Sequence, residues 1–130
     1  MSGAEQALVA ALYETLEAHE ALAGRLNGVF ATPPGRATPP YALLGEMIVT
    51  DWSTKTEEGR EIRFLVRLFE EPERADRLAE LMAEAETAIE AMPRDPAGWR
   101  IASLVFQRGR VLREQPWRAV LEYRARMLSV

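Results

Sequence analysis

The sequence has 130 residues, 48% of them hydrophobic and 28% charged, with a formal net charge of −4, which suits one globular domain spanning residues 1–130. The absence of cysteine excludes disulfides, thiolate zinc sites and cysteine nucleophiles, and the negative charge argues against a protein built to grip nucleic acid. No apolar run approaches the roughly 18 residues that a membrane span needs, and the first residues lack a secretion signal, so we expect assembly in the cytoplasm and no membrane partner.

An amphipathic helix is the first predicted element. Ser2 and Glu5 have the spacing of a capping box, so we expect the helix to begin there. Leucines then recur at every fourth position from residue 8 to residue 16, and the helix is predicted to run to about Leu22. The loop 26–38 follows. A loop of this length in a compact domain is either disordered or used for binding.

The stretch from Pro39 to Trp52 is predicted to be the first strand. Two prolines impose an extended start, and the residues after them are typical of strands. Gly45 within it indicates a bulge or a close backbone approach. Because both faces of this strand are largely apolar, we expect it inside a sheet with a cover on each side, the second cover coming from another subunit. Strict alternation assigns Leu43, Met47 and Val49 to one face and Leu44, Ile48 and Trp52 to the other.

The remaining pattern predicts a hairpin, a helix and two further strands. A polar hairpin tip, 53–59, leads into a strand from Arg60 to Glu70, and Pro72 opens a helix with an acidic outer side. A third strand is predicted from residue 99 to about residue 107, a break or bulge at 108–110, a connection over 111–116 and a fourth strand over 117–128.

This order predicts an α+β fold with two layers. We expect a sheet of about four strands, mostly antiparallel, with two helices packed on one face. The second helix gives a crossover long enough for the strands on either side of it to run parallel.

Nothing in the sequence indicates an enzyme or a cofactor. His19 is the only histidine, and a half-exposed helix position explains it better than catalysis or metal binding. Phosphate loops, dinucleotide fingerprints and nucleophile elbows are all missing. We therefore predict no catalytic residues, no metal ligands and no cofactor.

Two charged surfaces stand out instead: the arginines on one face of the predicted sheet and a row of glutamates on the second helix. They are equally compatible with two solvated faces and with a contact in which a basic patch meets an acidic patch on the next subunit, closing a ring. DNA binding by the arginines is a further reading, which the net charge disfavours. The predicted subunit interface comprises Arg63, Arg67, Val120, Arg124 and Arg126 on the sheet, with Leu65 and Phe69 beside them, and Glu80 and Glu84 on the second helix.

The chain resembles the small tail-terminator, or tail-completion, proteins of long-tailed phages and gene transfer agents. The resemblance covers nearly the whole chain, including an N-terminal leucine-rich helix and two closing strands. Its most specific positions are Pro40-Tyr41, Leu44-Gly45, Trp52-Ser53-Thr54-Lys55, Glu58-Gly59, Phe69-Glu70 and Arg74-Ala75.

The resemblance implies a structural virion protein without catalysis. Such proteins form a ring, usually hexameric, on the head-proximal end of the tail tube, where the ring stops tube polymerisation and joins the head connector. The implied partners are further copies of the chain, the tail tube protein and the connector or stopper protein, with DNA passing through the hole without specific binding.

The polar loops are the predicted contacts with the tube or connector. We assign this contact to the hairpin tip and to the loop that contains Arg36, because loops of this kind often order on assembly. The alternative functions are a neck or stopper component of the same particle and a cytoplasmic α+β domain that binds a small ligand. The tip residues are Ser53, Thr54, Lys55, Thr56, Glu57 and Glu58.

Overall fold

The computed structural model describes residues 3–130 as an α+β fold with two layers, which confirms the predicted class. It contains five strands and three helices, where about four strands and two helices were predicted. The helices are α1 (Ala4–Ala18), α2 (Glu20–Ala23) and α3 (Ala75–Glu90). The strands are β1 (Val29–Phe30), β2 (Tyr41–Asp51), β3 (Gly59–Glu70), β4 (Trp99–Leu112) and β5 (Trp117–Ser129). None of the described helices has the length and apolar character needed to cross a membrane.

The sheet has the order β1-β2-β3-β5-β4. Strand β1 is parallel to β2, and the other neighbours are antiparallel. Because β3 and β4 are both antiparallel to β5, which lies between them, they run in the same direction, as the predicted crossover through α3 requires. The additional strand β1 pairs only with Ala42 and Leu43, so the rest of β2 remains an open edge.

Helices α1 and α3 cover one face of this sheet. Leu8, Leu12 and Leu16 are fully buried, as their four-residue spacing predicts. Gly3 occupies the N-cap position of α1, while Ser2, the predicted cap, lies outside the described residues. The predicted single helix to Leu22 is interrupted at His19, whose backbone is extended, and one further turn, α2, follows.

A bulge in β2 overturns the predicted alternation of its side chains. The register shifts between Leu44 and Met47, so both residues lie on the helix-covered face, and Ile48, which is 60% exposed, points to the other. Gly45 makes this possible, because a Cβ there would lie 2.9 Å from the Leu65 Cβ. The predicted close approach at Gly45 is confirmed, and the assignment of faces beyond it was wrong.

Strand β4 is longer than predicted. It continues to Leu112, which pairs with Arg118, and leaves only 113–116 as the connection. The ladder accommodates extra residues at two register shifts, one between Ile101 and Ser103 and one between Phe106 and Arg108. Arg108, Gly109 and Arg110 pair in regular register with β5, so the predicted break or bulge at 108–110 is wrong, and the irregularity lies just before it, at Gln107.

One charged side chain is buried and joins the two layers. Glu70, at the end of β3, is 1% exposed. Its Oε1 accepts a hydrogen bond of 2.9 Å from the Glu71 backbone N–H, and its Oε2 lies 3.2 Å from Nη2 of Arg77 in α3. The carboxylate thus fixes the first turn of the crossover relative to the end of the strand.

Candidate assembly surfaces

The sheet face opposite the helices has no covering element among the described residues. In β3 and β5 its arginines alternate with buried apolar residues, so the predicted placement of Arg63, Arg67, Arg124 and Arg126 on this side is confirmed, and Arg118 lies there too. Three more come from β4: Arg108 and Arg110 were missed because the predicted strand ended or broke near residue 107, and Arg100 lay within the predicted strand without being assigned to a face. We name this surface the arginine face; its arginines are Arg63, Arg67, Arg100, Arg108, Arg110, Arg118, Arg124 and Arg126.

Four glutamates neutralise part of the arginine face: Glu61 and Glu122 on the sheet, Glu57, whose Oε2 lies 3.8 Å from Arg100 Nη2, and Glu114, whose Oε2 lies 3.6 Å from Arg118 Nη2. Arg126 Nε donates a hydrogen bond of 2.9 Å to Glu61 Oε2, and Arg63 Nη2 lies 3.6 Å from the other oxygen of that carboxylate. The hydrogen bond from Arg126 is the main reason why the pKa of Glu61 is lowered, and the nearby positive charges add to it. Arg108 pairs with Glu122 in the same way.

Three arginines of this face leave positive charge without a partner in the described chain. Arg67, Arg110 and Arg124 make no ion pair with any residue in the described range 3–130. Arg63 and Arg124 are direct cross-strand partners, and like charges in that position repel each other. The Nε atoms of Arg118 and Arg124 are buried without a hydrogen-bond acceptor. The face is therefore suited to a partner that brings carboxylates or other acceptors.

Two apolar residues on the arginine face, Val120 and Phe69, are already covered within the chain, whereas Ile48 on the same face remains 60% exposed. Val120 is 2% exposed and Phe69 is 8% exposed. Tyr41 stacks on Phe69 with ring centroids 4.5 Å apart, and the Arg118 guanidinium lies 5.5 Å from the Phe69 ring centre. Both residues, which were expected to supply apolar contact area, have little area left to bury.

The two predicted acidic interface residues on α3 have partners within the chain. Glu80 forms an ion pair of 2.7 Å with Arg25, and Glu84 forms a hydrogen bond of 2.9 Å with His19 Nε2. These contacts attach α3 to the segment that follows α1. Among the described residues, no group of three or more histidine or acidic side chains is arranged to hold a metal ion.

The hairpin tip is polar and organised by its own hydrogen bonds. Thr54 Oγ1 accepts from the backbone N–H of Glu57 at 3.0 Å and of Thr56 at 3.3 Å. Ser53 Oγ donates to Asp51 Oδ1 at 2.7 Å, and this hydrogen bond lowers the pKa of Asp51. All residues from 53 to 58, Lys55 included, are exposed, so their side chains are available to a neighbour.

The tip and the loop that contains Arg36 lie at opposite ends of the sheet. The loop leads into Tyr41, which pairs with Phe69 at the C-terminal end of β3. The tip connects Asp51 to Gly59, at the start of β3. A strand of about ten residues spans roughly 33 Å, so a single chain exposes two loop surfaces that are far apart along the strand direction.

The comparisons with known proteins agree with one another. Residues 7–128 match the family model described as tail completion protein gp17. A chain of a solved structure titled "Virion of native gene transfer agent (GTA) particle" is 27% identical, with a TM-score of 0.74, and the alignment covers 99% of this chain and 100% of that one. A comparison with curated proteins found no match.

Proposed function

We propose a function from the premise that this chain belongs to the tail completion protein gp17 family, whose model matches residues 7–128. The chain is a structural component of the virion and not an enzyme. Its similarity over nearly its full length to a chain of a gene transfer agent virion supports a place in a phage-like particle. The predicted resemblance to tail-completion proteins is confirmed.

The finer proposal is a ring at the head-proximal end of the tail tube. The ring, hexameric by resemblance, stops tube polymerisation and joins the tail to the head connector, and DNA passes through its hole without specific contacts. The observation that supports it best is the arginine face, which is uncovered in the single chain and contains arginines without carboxylate partners. A surface of this kind is suited to a partner that brings acidic groups.

The subunit contact proposed from the charges joins this face to α3 of the next copy. It uses the sheet residues Arg63, Arg67, Val120, Arg124 and Arg126. Glu80 and Glu84 already contact Arg25 and His19 within the chain. In the ring, each glutamate would either keep this contact and also bind an arginine of the next copy, or give up the first contact for the second. Such charge pairs fix register and partner choice more than affinity.

The contacts along the tail axis, with the tube protein and with the connector or stopper protein, are proposed for the two ends of the sheet. The hairpin tip 53–58 at one end and the loop around Arg36 at the other are separated by the length of the strands. If the strands run along the tail axis, one end meets the tube protein and the other meets the connector or stopper protein. This arrangement explains why one small domain carries two polar loops so far apart.

Loss of the chain from the producing cell tests this function. A strain that lacks it should produce heads without tails and tubes of uncontrolled length in electron micrographs, and expression of the wild-type chain should restore joined particles. Tubes of normal length together with heads that leak DNA would instead favour the alternative of a neck or stopper component. Unchanged particles would refute both.

A further inference from the structure

The most exposed large apolar side chains among residues 3–130, apart from the terminal Val130, cluster at two opposite edges of the sheet. Only Ile48 and Val105 of these residues point to the arginine face. The strands β3 and β5 lie between the two clusters. Tyr13, Ile48 and Val49 lie at the α1 and β2 side, and Val105, Phe106 and Val111 lie along β4.

A groove runs between α1 and the open edge of β2. It exists because β1 ends after pairing with Leu43, so the β2 backbone from Met47 onward has no neighbour on that side. Its volume is about 840 Å³, and Glu5 and Glu14 form a polar rim without ion-pair partners in the described chain. Its apolar lining consists of Val9, Ala10, Tyr13, Ala31, Met47 and Val49.

The opposite edge has the complementary character. The N–H groups of Trp99 and Ile101 at the start of β4 donate to the preceding connection, and from Ser103 to Leu112 the described chain has no strand paired with the outer side of β4. Phe106 packs edge-on against Tyr123 and is still 39% exposed, and Val111 is 47% exposed. Arg108 and Arg110 lie on the same stretch of β4 but point to the arginine face, where Arg108 is paired with Glu122. The edge thus combines apolar side chains with the unpaired charge of Arg110, while the groove is apolar with an acidic rim.

We propose that the β4 edge of one copy occupies the groove between α1 and β2 of the next copy. This inference rests on the proposed ring and identifies its apolar contact. The two surfaces differ in shape and in sign of charge, so each fits the other and not itself, and such a head-to-tail contact closes into a ring when the rotation allows. It also supplies the apolar area that Val120 and Phe69, already buried, do not provide.

Disulfide trapping tests this contact, because the chain has no cysteine of its own. Val49→Cys on the groove and Phe106→Cys on the edge are combined in one full-length chain, which replaces the native chain in assembling particles. The particles are oxidised and analysed by non-reducing electrophoresis. The matched control combines Asp95→Cys, an exposed position in the connection between α3 and β4 that belongs to none of the proposed contacts, with Phe106→Cys.

The proposal predicts that oxidation converts the monomer band into a ladder that ends at the ring size. The ladder requires both cysteines in one chain, while a mixture of the two single variants yields linked dimers only. The control pair leaves the monomer band intact. If Val49→Cys with Phe106→Cys does not fold, Val49→Cys with Val111→Cys replaces it on the same two surfaces.

Three results would overturn the contact. Dimers from Phe106→Cys alone would indicate a two-fold contact between β4 edges. Particles that contain the doubly substituted chain, have joined tails and show no link would refute the edge contact and leave the proposed function standing. Wild-type particles in which mass spectrometry finds no copy of the chain would refute the proposed function and this contact together.

Discussion

Replacing Arg124 by glutamate should separate folding from assembly. Arg124 lies directly opposite Arg63 in the β3–β5 ladder, and its Nε has no acceptor. The substitution converts a like-charged cross-strand pair into an oppositely charged one, and such pairs differ by up to about 1 kcal/mol. Glu61 loses one favourable neighbour, which offsets part of this gain. We therefore expect the free energy of unfolding to stay constant or rise by less than about 1 kcal/mol.

Assembly should respond in the opposite direction. In the proposed ring, a glutamate at position 124 faces carboxylates of the next copy, and juxtaposed like charges oppose association by several kcal/mol. Because about 1.4 kcal/mol corresponds to a tenfold change in an equilibrium constant, we expect at least roughly a tenfold loss of joined particles. Because added salt screens this repulsion as well as the attractive pairs of the wild-type contact, the difference in assembly between wild type and variant should be largest at low salt concentration and narrow as the salt concentration rises.

Two measurements on one pair of variants test this reasoning. Thermal unfolding of the purified chain reports the fold, and counts of joined particles across a salt series report assembly. Arg74→Glu is the matched control, because it changes the net charge equally at an exposed position away from the arginine face. Unchanged assembly by Arg124→Glu would refute the contact. Equal losses of assembly for both variants would show that the effect comes from the change in net charge and not from the position on the arginine face.

Three further perturbations have defined outcomes. Shortening the tip between Thr54 and Glu58 should leave the melting temperature nearly unchanged while particles lose joined tails; collapse of the fold would show that the tip is structural. Glu70→Ala removes the acceptor at the start of α3 and should lower the free energy of unfolding in urea by about 1–3 kcal/mol, against little change for the neighbouring Glu71→Ala. The lowered pKa of Glu61 means that its stabilising effect is present above its unfolded pKa and is lost as the pH falls through the folded value. Glu61→Gln should therefore flatten the acid side of the stability profile below about pH 4.5, and an unaltered profile would contradict this assignment.

The period-two pattern predicted the sheet correctly where ladders are regular. In β3, Ile62, Phe64 and Val66 are buried and Arg63 is exposed, so the sequence alone separates the two faces. In β2 the same reasoning fails after Gly45, because one bulge transfers every later side chain to the other face. Gly45 was the available signal, but a glycine in a strand does not reveal where the register shifts.

Elements that depend on pairing partners were harder to predict. Strand β1 has only Val29 and Phe30, and it is a strand because β2 lies beside it and not because of its composition. The end of β4 was misplaced for a similar reason: Arg108, Gly109 and Arg110 look like a break until β5 is there to pair with them. Arg108 and Arg110 of the arginine face were missed with that end of the strand.

The candidate site could be predicted by type but not by its contacts. Alternation places arginines on one face, yet nothing local indicates that Glu61 and Glu122 neutralise part of it, because those pairs join residues distant in sequence. The acidic row of α3 similarly gave no sign that Arg25 and His19 would reach it. Partner choice among exposed charges is a tertiary property.

An uncovered sheet face is compatible with a stable single chain because its arginines provide a partial cover of their own. Long arginine stems lie over apolar neighbours while the charged ends stay in water, which accounts for the burial of Val120 and Phe69 beneath an open surface. The apolar residues that stay exposed are divided between two edges, so neither cluster alone forms a large contiguous apolar patch. In the proposed ring, two small surfaces of different character would allow strong binding only where several copies meet.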